Sequence, residues 1–245
     1  MVEAAGVAYE HMQAQPSPEF VRKNREVQRL LGRCLLRIQH LERLLKAVVS
    51  AQHHYGTGAD SAELAKQRAA QVAKLGMGDL VDLVLAEVIH VKTGEVDRDG
   101  QEAEKPVRKV SGLLQAKAAA LAKRHDKAMA KAHSQRRTWL STRVTMSATP
   151  EAAKAISTRL TALVQLRNRV VHHFGDEYRI HDELGCDRAI RFLEEVDAML
   201  VEHAEPVSEW ALELDGAIKA LARKLSDPEF LDEMAGPGDS EAGAP

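Results

Sequence analysis

One short segment of the 245-residue chain carries side chains suited to acid–base chemistry beside a phosphate. It runs from Arg167 to His173 and reads RNRVVHH. A histidine titrates near neutral pH and can act as a general base or acid without a metal. An arginine presents a planar fork of N–H donors that matches a phosphate and its transition-state oxygens. The segment therefore supplies groups for proton transfer and for binding an anion.

The spacing of these residues decides which of them can act together. Asn168 and His172 are four positions apart, so a helix places them on one face. Arg167 and His172 are five apart, which is roughly 140° around a regular α-helix. They converge only if the helix is distorted near His172 or if a second subunit supplies one of them. Arg169 and His173 are possible substitutes, because Arg169 lies three positions before His172 and four before His173.

The stretch LVQLRNRVVHHF resembles the RNxxxH signature of HEPN domains, which Arg167, Asn168 and His172 match. The resemblance covers residues 20–50 and 155–205, with the basic segment between them as an insertion. The family implies metal-independent cleavage of RNA, often by a homodimer whose two motifs face each other across a cleft. Many members are toxins or antiphage effectors.

Carried over residue by residue, the resemblance implies three catalytic roles. His172 acts on the attacking 2′-hydroxyl or on the leaving oxygen, Arg167 holds the scissile phosphate, and Asn168 orients one of these groups. The resemblance also implies RNA as the substrate, no cofactor, and an antitoxin or a nucleotidyltransferase as a possible partner.

Two other interpretations stay open. Some HEPN proteins have lost catalysis and serve as binding modules, and such a module would partner a nucleotidyltransferase or another defence component. A purely structural dimer that binds no nucleic acid is the third possibility. In both cases Arg167 to His173 would only be favourable charges near the negative end of a helix dipole.

Other catalytic and binding motifs are weaker. The histidines and Cys186 offer no pair at the i, i+4 spacing of a helical zinc site with a carboxylate between, so we expect no metal. The sequence contains no GxxxxGK[ST] or GxGxxG loop to hold a nucleotide and no GxSxG elbow for a serine nucleophile.

Charge is distributed unevenly along the chain although its net value is only −2. Residues 105–143 contain eleven Lys or Arg against one acid, whereas residues 194–245 contain fourteen acids against three bases. The basic segment predicts a surface that tracks RNA phosphates, with Trp139 available for base stacking. Alternatively, it is a solvated helix face balanced by the acidic C-terminal helices. The RNA-binding candidates are Lys123, Arg124, Lys127, Lys131, Arg136 and Arg137.

Helices must position all of these residues. Aromatic residues make up only 4%, no sustained period-2 run is evident, and apolar residues recur with alternating spacings of three and four. We therefore predict an all-α, antiparallel, HEPN-like helical bundle with a basic helical insertion. The predicted helices span about 19–51, 61–74, 79–90, 106–133, 150–174 (with Gly175 as the stop), 187–203 and 207–225.

The predicted domain organisation places one HEPN-like domain at 19–226, with a basic loop and helix insertion at about 91–148. Residues 1–18 are expected to be flexible and 227–245 to form a disordered acidic tail. Two distant cysteines, the absence of a signal-peptide pattern and the lack of a long apolar stretch indicate a cytoplasmic protein without a membrane anchor.

Overall fold

The computed structural model describes residues 16–56, 61–96, 102–108, 123, 126–135, 140–224, 227 and 230. Helices dominate this part of the chain, as the composition predicts. The elements are α1 (Pro18–Ala51), β1 (His53–Gly56), α2 (Ser61–Val72), α3 (Met77–Leu83), the π-helical turn π1 (Val84–Val88), β2 (Ile89–Val96), β3 (Glu102–Pro106), β4 (Leu140–Arg143), β5 (Met146–Ala148), α4 (Pro150–Asn168), the π-helical turn π2 (Arg169–His173), α5 (Phe174–Glu177) and α6 (Glu183–Lys224).

Helix α1 forms where the apolar stripe predicts it. The Ser17 hydroxyl caps the helix by accepting a hydrogen bond from the backbone N–H of Phe20, at 3.0 Å. Leu30 is buried in this stripe, whereas its neighbour Leu31 is only half-buried. The buried positions keep the three-four spacing: Val27, Leu30, Cys34, Ile38, Leu41, Leu45 and Val48.

Helix α6 is one element where the sequence predicted two. The predicted break between residues 203 and 207 was wrong, because the helix runs through Pro206. Proline lacks an N–H and clashes with the carbonyl four residues earlier. The apolar period nevertheless continues across it: Leu200, Val207 and Leu214 are all buried at spacings of seven. Burial on both sides of Pro206 offsets the local cost of the proline.

Small β-sheets were not predicted and are a correction to the all-α expectation. Strands β1 and β4 form an antiparallel pair, and a second sheet has the order β3-β2-β5 with β2 and β5 parallel. The predicted helix at 79–90 ends early because π1 leads directly into β2 at Ile89. The insertion predicted at about 91–148 also contains strands, and Pro106, where a helix was predicted to begin, lies in β3.

Much of the predicted basic insertion lies outside the described residues. Residues 126–134 are helical, as predicted, but Pro106 ends β3 and pairs with His90 of β2. Residues 1–15 and nearly all of the predicted acidic tail are also outside the described residues. The assignment of 19–226 to one domain with an insertion stays a prediction.

The chain divides into two compact units. Unit 1 consists of Met1–His40 and Gln165–Glu202, and unit 2 consists of Leu41–Val164 and His203–Pro245. The candidate catalytic segment belongs to unit 1. No helix in the described ranges is both long and apolar enough to cross a membrane.

In unit 1, the N-terminal part of α1 packs beside the N-terminal part of α6. The Cys34 thiol donates to the carbonyl of Leu193 at 3.5 Å, and burial raises the pKa of Cys34 to about 11. Lys23 pairs with Asp187 at 2.7 Å, and Arg37 pairs with Asp197 at 2.7 Å. Partner numbers rise together along both helices, so these two segments run parallel.

In unit 2, apolar faces of several elements are buried around a polar anchor. Leu45, Leu80, Leu85 and Leu160 are almost completely buried. The side-chain amide of Gln52, also fully buried, donates to the backbone carbonyl of Glu87 in π1, and the backbone carbonyl of Gln52 accepts from the N–H of Val144. Hydrogen bonds thus hold the loop after α1 against π1.

Candidate active site

The candidate segment lies where α4 runs into π2. Helix α4 begins as predicted near Thr149, whose hydroxyl accepts from the N–H of Ala152 at 3.3 Å. Pro150 stands at the first helical position, where a missing N–H costs little. After Asn168 the regular hydrogen-bond pattern widens for five residues, and it then returns to α-helix at Phe174.

This widening brings Arg167 and His172 together. In a π-helix, hydrogen bonds link residues five apart, so positions i and i+5 approach each other. Arg167 Nη1 lies 2.6 Å from His172 Nε2 and donates at 3.0 Å to Asn168 Oδ1. Helix distortion was one of the two conditions under which the sequence allowed this contact. A second subunit is not needed to form it.

The contact fixes the tautomer of His172. A guanidinium has only donors, so Nε2 of His172 must accept, and the ring proton resides on Nδ1. The Nε2 lone pair points at Arg167, beside the place where a bound phosphate would meet the guanidinium. An imidazole nitrogen that accepts a hydrogen bond and a guanidinium are therefore neighbours in one chain.

The segment is anchored on one side and open on the other. Val170 is 3% exposed and Phe174 is 7% exposed, so both anchor the turn in the core. Arg167 and Asn168 are half-buried, whereas His172 is exposed. This combination holds the backbone firmly and leaves the polar groups accessible to a large substrate.

The predicted stop at Gly175 was wrong. Gly175 lies inside α5, and an added Cβ would meet nothing within 4 Å. The chain leaves the helix at Tyr178, which has an extended backbone. Tyr178 stacks on Phe192 with ring centroids 4.7 Å apart, and this aromatic contact fixes the point of exit.

Arg169, one of the two possible substitutes, is committed to other contacts. Its Nε donates to Glu177 at 2.7 Å, its Nη2 donates to the hydroxyl of Tyr178 at 3.2 Å, and its guanidinium lies 4.4 Å from the ring centre of Phe192. The hydrogen bond to Glu177 raises the pKa of Arg169 above its usual value. Arg169 therefore joins π2 to the exit of α5 and to α6.

His173, the second possible substitute, is exposed and meets the ring of His172 edge-on at 6.4 Å. Arg167 contacts His172 and not His173 in this arrangement. The three residues that match the RNxxxH pattern are thus the three that come together.

The predicted RNA-binding residues are described only in part. Lys123, Lys127 and Lys131 are exposed, four positions apart, and belong to unit 2. None of these lysines has an ion pair in the part of the chain that the structure describes, which excludes several acids of the C-terminal segment. Arg124, Arg136, Arg137 and Trp139 lie outside the described residues.

A second polar pair, which sequence reasoning missed, occurs at π1. His53 Nε2 lies 3.6 Å from a carboxylate oxygen of Glu87. Burial alone would raise the pKa of Glu87, but hydrogen bonding and charge attraction from His53 outweigh it and leave that pKa below its usual value. Within the described ranges, no group of three or more His, Cys, Asp and Glu could hold a metal ion.

In comparisons with known proteins, no family model, curated protein or solved structure matches this chain. The chemistry assigned to the candidate site is that of its own side chains.

Proposed function

We propose that this protein is a HEPN-like, metal-independent endoribonuclease that acts as a toxin or antiphage effector. Its catalytic residues are Arg167, Asn168 and His172. One observation supports the proposal above all others: Arg167 Nη1 contacts both Asn168 and His172 on an accessible helix face. The resemblance to the RNxxxH signature supplies the reaction class.

In the proposed reaction, the 2′-hydroxyl of a ribose attacks the neighbouring phosphorus. Nε2 of His172 accepts the hydroxyl proton as the new O–P bond forms. The bond from phosphorus to the 5′ oxygen breaks, and the same imidazole can return the proton to this leaving oxygen. The products are a 2′,3′-cyclic phosphate and a 5′-hydroxyl.

Arg167 and Asn168 act on the charge of the phosphate. When RNA binds, the N–H groups of Arg167 turn from His172 to the non-bridging oxygens, whose negative charge grows in the transition state. Asn168 already uses its Oδ1 toward Arg167, so its amide N–H groups are directed outward to donate to phosphate or ribose. Arg169 contributes little charge here because Glu177 neutralises it.

The proposed assembly is a homodimer, as in the family that the motif resembles. The original geometric reason for a dimer was the 140° separation of Arg167 and His172 on a regular helix, and π2 removes it. The homodimer is therefore proposed from the family resemblance and because two subunits would clamp RNA between them. An antitoxin would restrain such an enzyme in the cell.

The test is substitution of the two central residues. His172→Ala and Arg167→Ala should each lower the rate of RNA cleavage by roughly 100-fold or more, since each removes an interaction made in the transition state. Melting temperature should barely change, because accessible polar residues on a helix contribute about 0.5 kcal/mol or less to folding. Cleavage of a labelled RNA is followed on a denaturing gel, and loss of growth toxicity on induction is the cellular readout.

The matched control is His181→Ala, which removes an exposed histidine of the same unit and should leave cleavage intact. Activity should also survive EDTA. Wild-type cleavage that is unaffected by either motif substitution would contradict the assignment. If the wild type cuts nothing and both variants lose several degrees of melting temperature, the residues are structural, and a silent module that partners a nucleotidyltransferase becomes the better interpretation.

A further inference from the structure

A cavity of about 340 Å³ lies next to the motif in unit 1. This volume falls within the roughly 300–1,000 Å³ of small-molecule sites and is sufficient for a phosphate with part of a nucleotide. It opens beside the connection from α5 to α6. Its lining residues are Arg169, Glu177, Tyr178, Arg179, Gly185 and Arg188.

The charge of this cavity is positive. Three guanidinium groups face one carboxylate, and Arg169 pairs with that carboxylate at 2.7 Å. Arg179 and Arg188 are exposed, and neither forms an ion pair among the described residues. Two cationic groups therefore remain for an anion, and the phenol of Tyr178 adds a polar oxygen to the wall.

The backbone is tightly packed where the cavity meets the first turn of α6. Asp182 caps α6, because its Oδ1 accepts from the N–H of Gly185 at 2.6 Å. An added Cβ on Gly185 would lie 1.8 Å from the carbonyl oxygen of Arg179. Only glycine permits this close approach, which holds the backbone of Arg179 against the first turn of α6. Arg188 follows Gly185 by three positions and lies on the same helix face.

The cavity is joined to the catalytic motif through Arg169. This residue follows Asn168 directly in the chain, and its guanidinium forms part of the cavity wall. Its contacts with Glu177, Tyr178 and Phe192 hold it in place. The cavity and Arg167 thus belong to the same unit and are connected by a short stretch of backbone.

We propose that this cavity binds a backbone phosphate of the RNA strand other than the scissile phosphate, with Arg179 and Arg188 as its charged ligands. The inference rests on the proposed function and assigns a second phosphate subsite to it. Guanidinium groups form charge-assisted, often bidentate hydrogen bonds to phosphate, which suits a site that must recognise backbone and not base.

The experiment uses the full chain and a fluorescein-labelled, single-stranded RNA of mixed sequence that carries 2′-O-methyl groups and cannot be cleaved. Fluorescence anisotropy gives the Kd over a salt series. Arg179→Gln/Arg188→Gln should weaken binding by about tenfold, because charge-assisted hydrogen bonds are lost. The slope of log K against log salt should become shallower by about 0.7, the value for one phosphate contact to a single strand.

The matched control is Arg25→Gln/Arg43→Gln, which removes the same charge from exposed positions of α1. It should keep the wild-type affinity and slope. If both double variants lose the same amount of RNA affinity, the loss results from the change in net charge, and the inference is overturned. Unchanged binding by the cavity variant would also overturn it, as would a wild type that binds no RNA, in which case an acidic protein partner fits the arginines better.

Cleavage of unmodified RNA separates this inference from the proposed function. RNA that is bound through Arg179 and Arg188 but never cut upholds the subsite and refutes the ribonuclease. RNA that is cut equally well by wild type and the cavity variant, with equal Kd, upholds the ribonuclease and refutes the subsite.

Discussion

Arg167 and Arg169 are two residues apart and have the same side chain, yet their surroundings differ. Arg167 is half-buried, and its guanidinium contacts the polar atoms of Asn168 and His172. Arg169 bonds to Glu177 and Tyr178 and lies over the ring of Phe192. The first arrangement leaves a cation ready for substrate, and the second ties neighbouring turns together.

We therefore expect Arg169→Ala to lower stability and Arg167→Ala to lower activity. Loss of the cation–π contact and the ion pair should cost about 1 kcal/mol, since the Arg169 side chain is about half exposed and its ion pair is screened by solvent. For a protein of this size that corresponds to a fall of roughly 2–4 °C in melting temperature. Thermal denaturation by circular dichroism measures it.

Arg167→Ala is the control for that measurement, with an expected melting temperature close to wild type. Equal losses in the two variants would contradict the division of roles. The sequence identified both arginines as candidates but did not separate them, because Glu177, Tyr178 and Phe192 meet Arg169 only through the turn after α5.

At the scale of elements, helices on continuous apolar stripes were predictable and local departures from them were not. Helix α1 was predicted within one residue at each end, since its apolar stripe continues without a break from Val27 to Val48. The sequence indicated a distorted helix near His172 only as a condition for the Arg167–His172 contact, and it did not predict where π2 begins and ends. Whether this helix widens into π2 depends on how Val170 and Phe174 fit the core. A local sequence pattern does not contain that information.

The strands show a second limit. The β2 sequence begins IHVKT and alternates β-branched with polar residues, which is a strand signal. It was missed because the helical stripe of α3 leads into it without a break and because its partner β5 is more than fifty residues away. Pairing between distant strands is a property of the folded chain and not of a sequence window.

Helix α6 provides a prediction at this scale. Pro206→Ala should raise the free energy of unfolding by about 1–2 kcal/mol. Removing an interior proline restores a hydrogen bond and relieves a clash worth about 3 kcal/mol, and the greater freedom of the unfolded chain takes back up to about 1 kcal/mol. Urea denaturation gives the value.

Pro150→Ala is the matched control, because Pro150 occupies the first turn of α4, where no hydrogen bond is missing. It should be neutral or slightly destabilising. A Pro206→Ala variant that is less stable than wild type would mean that packing of the proline ring matters more than its backbone cost.

At the scale of the whole molecule, the proposed catalytic pair can form within one chain or between two. The structure forms it within one chain, through a contact of 2.6 Å. A homodimer is still proposed and should appear as twice the monomer mass in light scattering. A monomer at micromolar concentration would contradict the proposed dimer. It would not contradict the pairing of Arg167 with His172, which forms within one chain.

Heterodimers purified through two different affinity tags distinguish pairing within a chain from pairing across the interface. A heterodimer of Arg167→Ala with His172→Ala contains no chain with both residues, so we expect it to be as inactive as either variant alone. A heterodimer of wild type with the double variant contains one complete chain, so we expect about half of the wild-type cleavage rate.

If Arg167 of one subunit instead served His172 of the other, the two results would be exchanged: the first heterodimer would hold one composite site and the second would hold none. The first heterodimer cleaving RNA while the second does not would refute catalysis by the pair that π2 brings together.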